Sequence, residues 1–404
     1  MTRAGTTGRC FLSYRRTHVE DIALVETALR LRGIPTWIDT CDLLSEPTEA
    51  ELRRVISHPE TSCAVIWLTP SVVASPMMRS VEIPELLRRH RDDSSFFVVP
   101  VLSDGLEYGD VASLLGTAFG GDAFARWNLI KTSKPLSSSD AVRVANIVLE
   151  RRLRTVGGAT AGEPLKLRLQ ARARPGFDPG FALDLDWSSR FDPRRASRDA
   201  WDGELLPALR DVADAIGELT QERPWTGEGL LGMPGALALG RAFPTTRRVP
   251  FGWWQGHAGR TSALWSHAEP EEHVSFSARA EPYELTGDDL ALVVSLTDDA
   301  RPDFDRGLAG MPSLRAVVDF RRTSFDHDLS AGKAAYLVRS AVECLCKARA
   351  SYRVSGAVHV VIAGPVGFGV LLGQALNTFP LVAAYEYCGE SDLPYVLATE
   401  LRQP

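Results

Sequence analysis

Phe11-Leu12-Ser13-Tyr14-Arg15-Arg16 is a short apolar run that stops in a polar, positively charged turn. Further along, Ser80-Val81-Glu82-Ile83-Pro84-Glu85-Leu86-Leu87 places a carboxylate at the front of a helix rich in Leu and Arg. The first stretch reads as a strand end and the second as a helix start, two pieces that can meet over one pocket. Taken alone, Glu82 reads as a solvated glutamate drawn to the first helical turn by the helix dipole. The order of the surrounding elements changes that reading.

From Arg9 to about Glu150, short apolar runs alternate with amphipathic stretches, the pattern of a parallel α/β sheet. Cys10–Tyr14 predicts a strand, Val19–Leu31 a helix with Gly33 as its stop, Ile34–Ile38 a strand, and Thr48–Ser57 a helix opened by a capping box. Cys63–Leu68 is a third strand, followed by Ser75-Pro76 as an N-cap and first helical position. Pro84 predicts a kink in the helix toward His90 or a second helix start just after Glu82. Phe96–Leu102, Trp127–Ile130 and a closing helix Ser139–Arg154 complete a flavodoxin-like count, with ligands expected at the carboxyl ends of the strands.

On these motifs the segment from about residue 8 to 154 resembles a TIR domain of the bacterial NAD-cleaving kind. The resemblance rests on Phe11–Arg16, on the strand end Trp37-Ile38-Asp39, on a BB-type loop at Thr40–Pro47 and on the helix that carries Glu82. It implies Glu82 as the catalytic carboxylate set against the ribose hydroxyls of NAD+, with Ser13, Tyr14, Arg15, Arg16, Trp37, Asp39 and Asp42 lining the substrate pocket. Many relatives carry a proline-glycine pair where this loop has Ser45-Glu46-Pro47. Glu85 is the rival to Glu82, three residues on and able to face the same side.

One carboxylate is enough for this chemistry. Glycosidases ordinarily need two, an acid for the leaving oxygen and a base or nucleophile for the sugar carbon. Nicotinamide bound to ribose is already a cationic pyridinium and leaves neutral without a proton, so the site has mainly to stabilise oxocarbenium-like charge on the ribose, which a positioned anion does. NAD+ is then a substrate, and neither a cofactor nor a metal is called for.

With 404 residues the chain exceeds one ordinary core, and its hydrophobic content of 45% and charged content of 24% are those of a globular soluble protein. No apolar run reaches the roughly 18 residues of a membrane helix, and Met1–Arg9 lacks the apolar core of a signal peptide, which together predict a cytoplasmic protein. Cys10 and Cys63 sit in strand-like runs and Cys344 and Cys346 in a helical pattern, with no CxxC pair, so the six cysteines read as reduced and a zinc site as improbable. A net charge of −6 argues against binding nucleic acid polymers, which requires a basic face. A small phosphate ligand in a local pocket remains compatible with it.

Thr155–Gly162, TVGGATAG, is small and flexible and reads as a linker between a first domain at residues 1–154 and a second at 163–404. The second contains a repeat. Ala236–Phe243 matches Gly369–Leu376, and the same offset without a gap sets Val249–Trp254 against Val382–Tyr387. Upstream, Phe181–Trp187 parallels Ala291–Leu296, each followed by a long helix, Glu204–Leu219 and Ala334–Ala350. Each half, about 163–260 and about 280–404, therefore reads strand, long helix, strand, turn, helix, strand.

This region resembles the SAVED domain, a fused pair of Rossmann-like (CARF-like) units that senses cyclic oligonucleotides in CBASS-type antiphage signalling. The residues that carry the resemblance are Leu292–Asp298, Val358–Pro365, Leu372-Gly373-Gln374 and Ala384-Tyr385-Glu386. Ligand contacts are expected at turns where backbone N–H groups can meet phosphates, namely Ser188 to Arg190, Thr297 and Asp298, Gly232–Gly235, and Gly364, Pro365 and Phe368. Lys333, Gln374 and the aromatic Trp253 and Trp254 are further candidates for phosphate, base-edge and stacking contacts, although core packing competes for every aromatic here.

Gly367-Phe368-Gly369 through Gly373, with Glu386 nineteen residues after Gly367, imitates a dinucleotide-binding turn and its ribose acid. Its spacing is GxGxxxG, too little chain follows Glu386, and the matching half lacks the glycines, all of which favour a duplicated sensor. Together the two resemblances imply an NAD+ glycohydrolase switched on by a cyclic trinucleotide, with cyclic tri-adenylate as the first candidate, through ligand-driven self-association of its domains. TIR pockets in relatives are often completed by a neighbouring copy. The alternative is an adaptor in which the first domain binds other TIR domains and has no chemistry.

Overall fold

A computed structural model describes residues 5–38, 48–111, 124, 127–159, 162–172, 176–192, 194–220, 223–257, 260–283, 286–325, 329–389 and 392–403. The chain is an α/β protein in two compact units. One comprises residues 1–168, 175–186 and 214–221; the other comprises 169–174, 187–213 and 222–404. Among the described residues no helix is long and apolar enough to cross a membrane.

The first unit is built on a parallel sheet of β1 (Arg9–Ser13), β2 (Thr36–Trp37), β3 (Thr61–Leu68), β4 (Phe97–Leu102) and β5 (Ile130–Lys131), in the order β2-β1-β3-β4-β5. That is the flavodoxin-like order, whose switch point lies at the carboxyl end of β1. Every residue of β3 is buried, as an interior strand covered on both faces requires. The helix at Val19–Leu31 keeps the expected bounds because Ile22, Val25 and Leu29 repeat on one face and are buried. Gly33 stops it in the left-handed region at φ +81°, and a side chain there would strike the backbone nitrogen of Asp184 at 3.0 Å.

The last strand of this sheet lies slightly later than Trp127–Ile130, at Ile130–Lys131. The closing helix runs from Ser138 to Ala159, through most of the stretch whose glycines suggested a linker. Packing explains this departure, since Val156 is fully buried and Arg152 sits in the unit's interior. The Arg152 guanidinium donates to the carbonyls of Gly8, Thr7 and Ala182 at 2.6, 2.6 and 2.8 Å and to Ser62 Oγ at 3.1 Å.

Beyond this sheet come β6 (Leu165–Gln170), β7 (Leu183–Asp186), β8 (Trp225–Leu230), β9 (Phe251–His257) and β10 (Arg260–Trp265). β9 runs parallel to β8 and antiparallel to β10. A six-stranded sheet follows, made of β11 (Phe276–Pro282), β12 (Asp289–Ser295), β13 (Leu314–Arg322), β14 (Val358–Ala363), β15 (Leu381–Tyr387) and β16 (Tyr395–Arg402) in the order β11-β13-β12-β14-β15-β16. Its four inner strands are parallel and its two outer ones antiparallel.

The repeat seen in the sequence closes on itself. The helices Met233–Ala242 and Val366–Ala375 cross where Gly240 meets Gly373, so closely that a Cβ on Gly240 would lie 2.1 Å from the carbonyl oxygen of Val370 and one on Gly373 2.4 Å from that of Leu237. Leu237 and Val370 are themselves equivalent in the repeat, so the contact is reciprocal, as across a twofold axis. The next positions repeat the exchange with side chains. Arg241 donates to the carbonyls of Leu376 and Phe379 at 2.7 and 2.9 Å, and Gln374 to those of Phe243 and Phe251 at 3.0 and 3.2 Å. Burial pulls the Arg241 guanidinium down to about 10.

Candidate functional site

Among the described residues, both units gather polar groups that could do chemistry. In the first unit, β1 delivers Ser13 to the carboxyl edge of the sheet, where its hydroxyl donates to Glu82 Oε2 at 2.7 Å. Both side chains are buried, Ser13 at 1% and Glu82 at 8% exposure, which is unusual for a carboxylate at a helix front. The local backbone explains how Glu82 turns inward. Pro84 has no N–H to give to Ser80, and the preceding turn widens into a π-turn at Met78–Glu82, with the N–H of Ile83 reaching back to the carbonyl of Met78. A regular helix starts at Ile83, the second of the two outcomes that Pro84 predicted.

Glu85 is held elsewhere. Its carboxylate pairs with Arg53 and with Arg88 Nη2, the latter at 2.7 Å. The two glutamates of Glu82-Ile83-Pro84-Glu85 are thus assigned to different partners, one to the strand end and one to an arginine pair. Tyr14 and Trp37 are buried beside the same strand, Trp37 stacked on Phe11 with ring centroids 5.0 Å apart. Arg15 is half-buried and donates to the carbonyl of Ser71 at 3.3 Å, while Arg16 is exposed. Asp39, Asp42 and the rest of the Thr40–Pro47 loop lie outside the described residues.

In the second unit, Thr297 and Asp298 follow β12, and Gly364 and Pro365 follow its neighbour β14. The structure joins these turns, since the N–H groups of Leu296 and Thr297 both donate to the carbonyl of Ala363, at 2.9 and 3.2 Å. Thr297 and Asp298 are exposed, as a ligand-facing turn would be. Lys333 lies in the first turn of the helix Ala331–Tyr352, where its backbone N–H donates to Ser330 Oγ at 3.2 Å. Phe368 and Trp253 are buried in the core at 0% and 2% exposure, the outcome that competed with stacking. Gln374, at 3%, is committed to the crossing of the repeat helices.

Ser188 and Arg190 form a turn after β7, and Arg190 Nε donates to Glu204 Oε2 at 2.7 Å. Arg190 opens onto a cavity of about 480 Å³ whose walls include Phe191, Arg195, Arg198, Trp201 and Glu386. Glu386, the last residue but one of β15 in the second unit, is 6% exposed, with Arg172 Nη2 3.6 Å from Oε1. Burial pushes its carboxyl up to about 7, against the pull of Arg172, Arg194 and Arg195. In the sequence Glu386 stands out only within Ala384-Tyr385-Glu386 and as the acid of an imitation dinucleotide turn. Arg195, Arg198, Phe191 and Trp201 are not among the residues expected from sequence, although the four arginines from Arg190 to Arg198 are a local cluster of charge.

Residues 208–400 match the family model described as the SMODS-associated and fused to various effectors sensor domain, SAVED. The match lies wholly in the C-terminal part of the chain and supports a sensor domain there. In fold, the chain is similar to the Acinetobacter baumannii Cap4 SAVED/CARF-domain containing receptor solved with the cyclic trinucleotide 2'3'3'-cAAA, at 15% identity and a TM-score of 0.52 over 89% of this chain and 86% of that one. It is likewise similar to the same receptor solved with 3'3'3'-cAAA, at 13% identity and a TM-score of 0.51 over 96% and 99%. No curated protein matches the chain. At such identities the likeness is one of architecture, in keeping with the parallel inner strands and the duplicated helix-then-strand unit of the SAVED region.

Proposed function

We propose that the protein is an NAD+-cleaving effector whose SAVED region, taken as residues 163–404, binds a cyclic trinucleotide and switches on a TIR-type centre in residues 1–154. The observation that carries the catalytic half is the buried hydrogen bond from Ser13 to Glu82 at the carboxyl end of the sheet's switch-point strand. The sensing half is supported by the SAVED match and by a fold shared with receptors solved around cyclic trinucleotides.

In the proposed reaction the bond from ribose C1' to the nicotinamide nitrogen breaks, and its electron pair neutralises the pyridinium. Water adds to C1', releasing ADP-ribose and a proton. Glu82 opposes the positive charge that develops on the ribose, and the Ser13 hydroxyl fixes the carboxylate's orientation so that little reorganisation is needed as charge appears. A nicotinamide-release assay on the full chain, run across cyclic di-, tri- and tetranucleotides, tests the proposal. Release is expected with a cyclic trinucleotide, cyclic tri-adenylate first, and not without messenger. Messenger binding with no nicotinamide released under any condition would leave the adaptor reading in its place.

A further inference from the structure

The arginine-lined cavity at the end of β15 combines features that a phosphate site alone would not need. Its rim is basic, with Arg190, Arg195 and Arg198, and one wall is aromatic, with Phe191 set edge-on to Trp201 at 6.0 Å. Two of the rim arginines are already engaged, Arg190 by Glu204 and Arg198 by Glu400 at 2.8 Å. Arg195 is exposed and, among the described residues, has no ion-pair partner. The lining also includes the buried carboxyl of Glu386, so close to the backbone of Gly232 that a Cβ there would lie 2.3 Å from Oε2.

Resting on the sensor reading above, we propose that this cavity takes one purine nucleotide unit of the cyclic trinucleotide, with Arg195 on its phosphate, Phe191 against its base and the Glu386 carboxyl reading the base edge. The volume of about 480 Å³ suits one such unit, and a cyclic trinucleotide is larger. The chemistry of the carboxyl selects the base. A protonated carboxyl offers one O–H donor and one acceptor, the complement of adenine N1 and the adenine amino group, whereas a carboxylate offers two acceptors, the complement of the N1–H and amino group of guanine. The carboxyl titrates near 7 in its buried place, so both forms are within reach. The charged groups facing it are Arg172, Arg194 and Arg195, with Arg190, Arg198 and Asp192 on the cavity wall and the start of the Met233–Ala242 helix at Gly232.

The test is equilibrium binding of 3'3'3'-cyclic tri-adenylate, and of the same ring with one adenine replaced by guanine, to the full chain from pH 6 to 8.5. For the native protein, adenine-ring affinity should fall toward about tenfold per pH unit above 7, as binding that takes up one proton requires, and the preference for adenine over guanine should shrink. Glu386→Gln keeps a donor and an acceptor at every pH, so it should bind the adenine ring with a flat pH profile. Arg195→Ala, on the surface, should weaken both rings about tenfold and reduce the salt dependence. A Glu386→Gln profile that parallels the native one, or native affinity in Arg195→Ala, overturns this proposal alone. A native protein that binds no cyclic trinucleotide overturns the sensor reading and this proposal with it.

Discussion

At the scale of single residues, the informative contrast is between Glu82 and Glu85. Both sit near one helix start, yet one is buried against a strand-end hydroxyl and the other is tied to two arginines. Glu82→Gln keeps the size and can still accept from Ser13 while removing the anion. It should lower nicotinamide release by on the order of a hundredfold or more and leave cyclic trinucleotide binding intact. Ser13→Ala removes only the orienting hydroxyl and should cost about tenfold. Normal turnover in Glu82→Gln alongside a dead Glu85→Gln would reverse the assignment. Glu82 stands out in the sequence because its motif is short and local, while its burial against Ser13 is set by the fold. The bonds of Gln374 are not visible in the sequence, because a buried amide that donates to carbonyls of the other half looks there like any other polar residue.

At the scale of elements, two contacts among the described residues can be tested. The first is the crossing of the repeat helices at Gly240 and Gly373. Gly240→Ala and Gly373→Ala each push a methyl group into a carbonyl of the facing helix and should destabilise by about 2–3 kcal/mol. The double variant should cost less than the sum, since both substitutions open one and the same gap. Denaturant midpoints measure this, and native-like midpoints for both single variants would contradict the packing. The second contact is Arg152. Arg152→Met fills similar volume but takes the guanidinium away from the carbonyls of Thr7 and Ala182, leaving Gly8 and Ser62 with only their mutual hydrogen bond, so a loss of about 3 kcal/mol is expected in the same experiment. The loss should bring near-zero change in the pH profile of any activity that survives, because the role is structural.

At the scale of the whole molecule, the proposed switch is self-association. A TIR-type pocket completed by a second copy predicts activity that rises steeply with protein concentration once messenger is present, with particle growth followed by light scattering over the same range. Asp42→Arg, in the loop expected to reach the neighbour, should spare messenger binding and suppress both growth and cleavage. Full-rate NAD+ cleavage by a particle that stays monomeric would rule this switch out. The sequence by itself determined the α/β class, the strand succession of the first unit and the existence of a duplication, because hydrophobic period, turn residues and self-similarity are local or repeat at a fixed offset. Only the tertiary structure decided that Gly157 and Gly158 of TVGGATAG are helical, since Val156 and Arg152 find a packed interior that carries the helix on to Ala159. It alone brought Arg195, Phe191 and Glu386 to one cavity, residues from a loop and a strand end nearly two hundred positions apart. Convergence of that kind is set by where sheets and helices stack, and no periodicity along the chain encodes it.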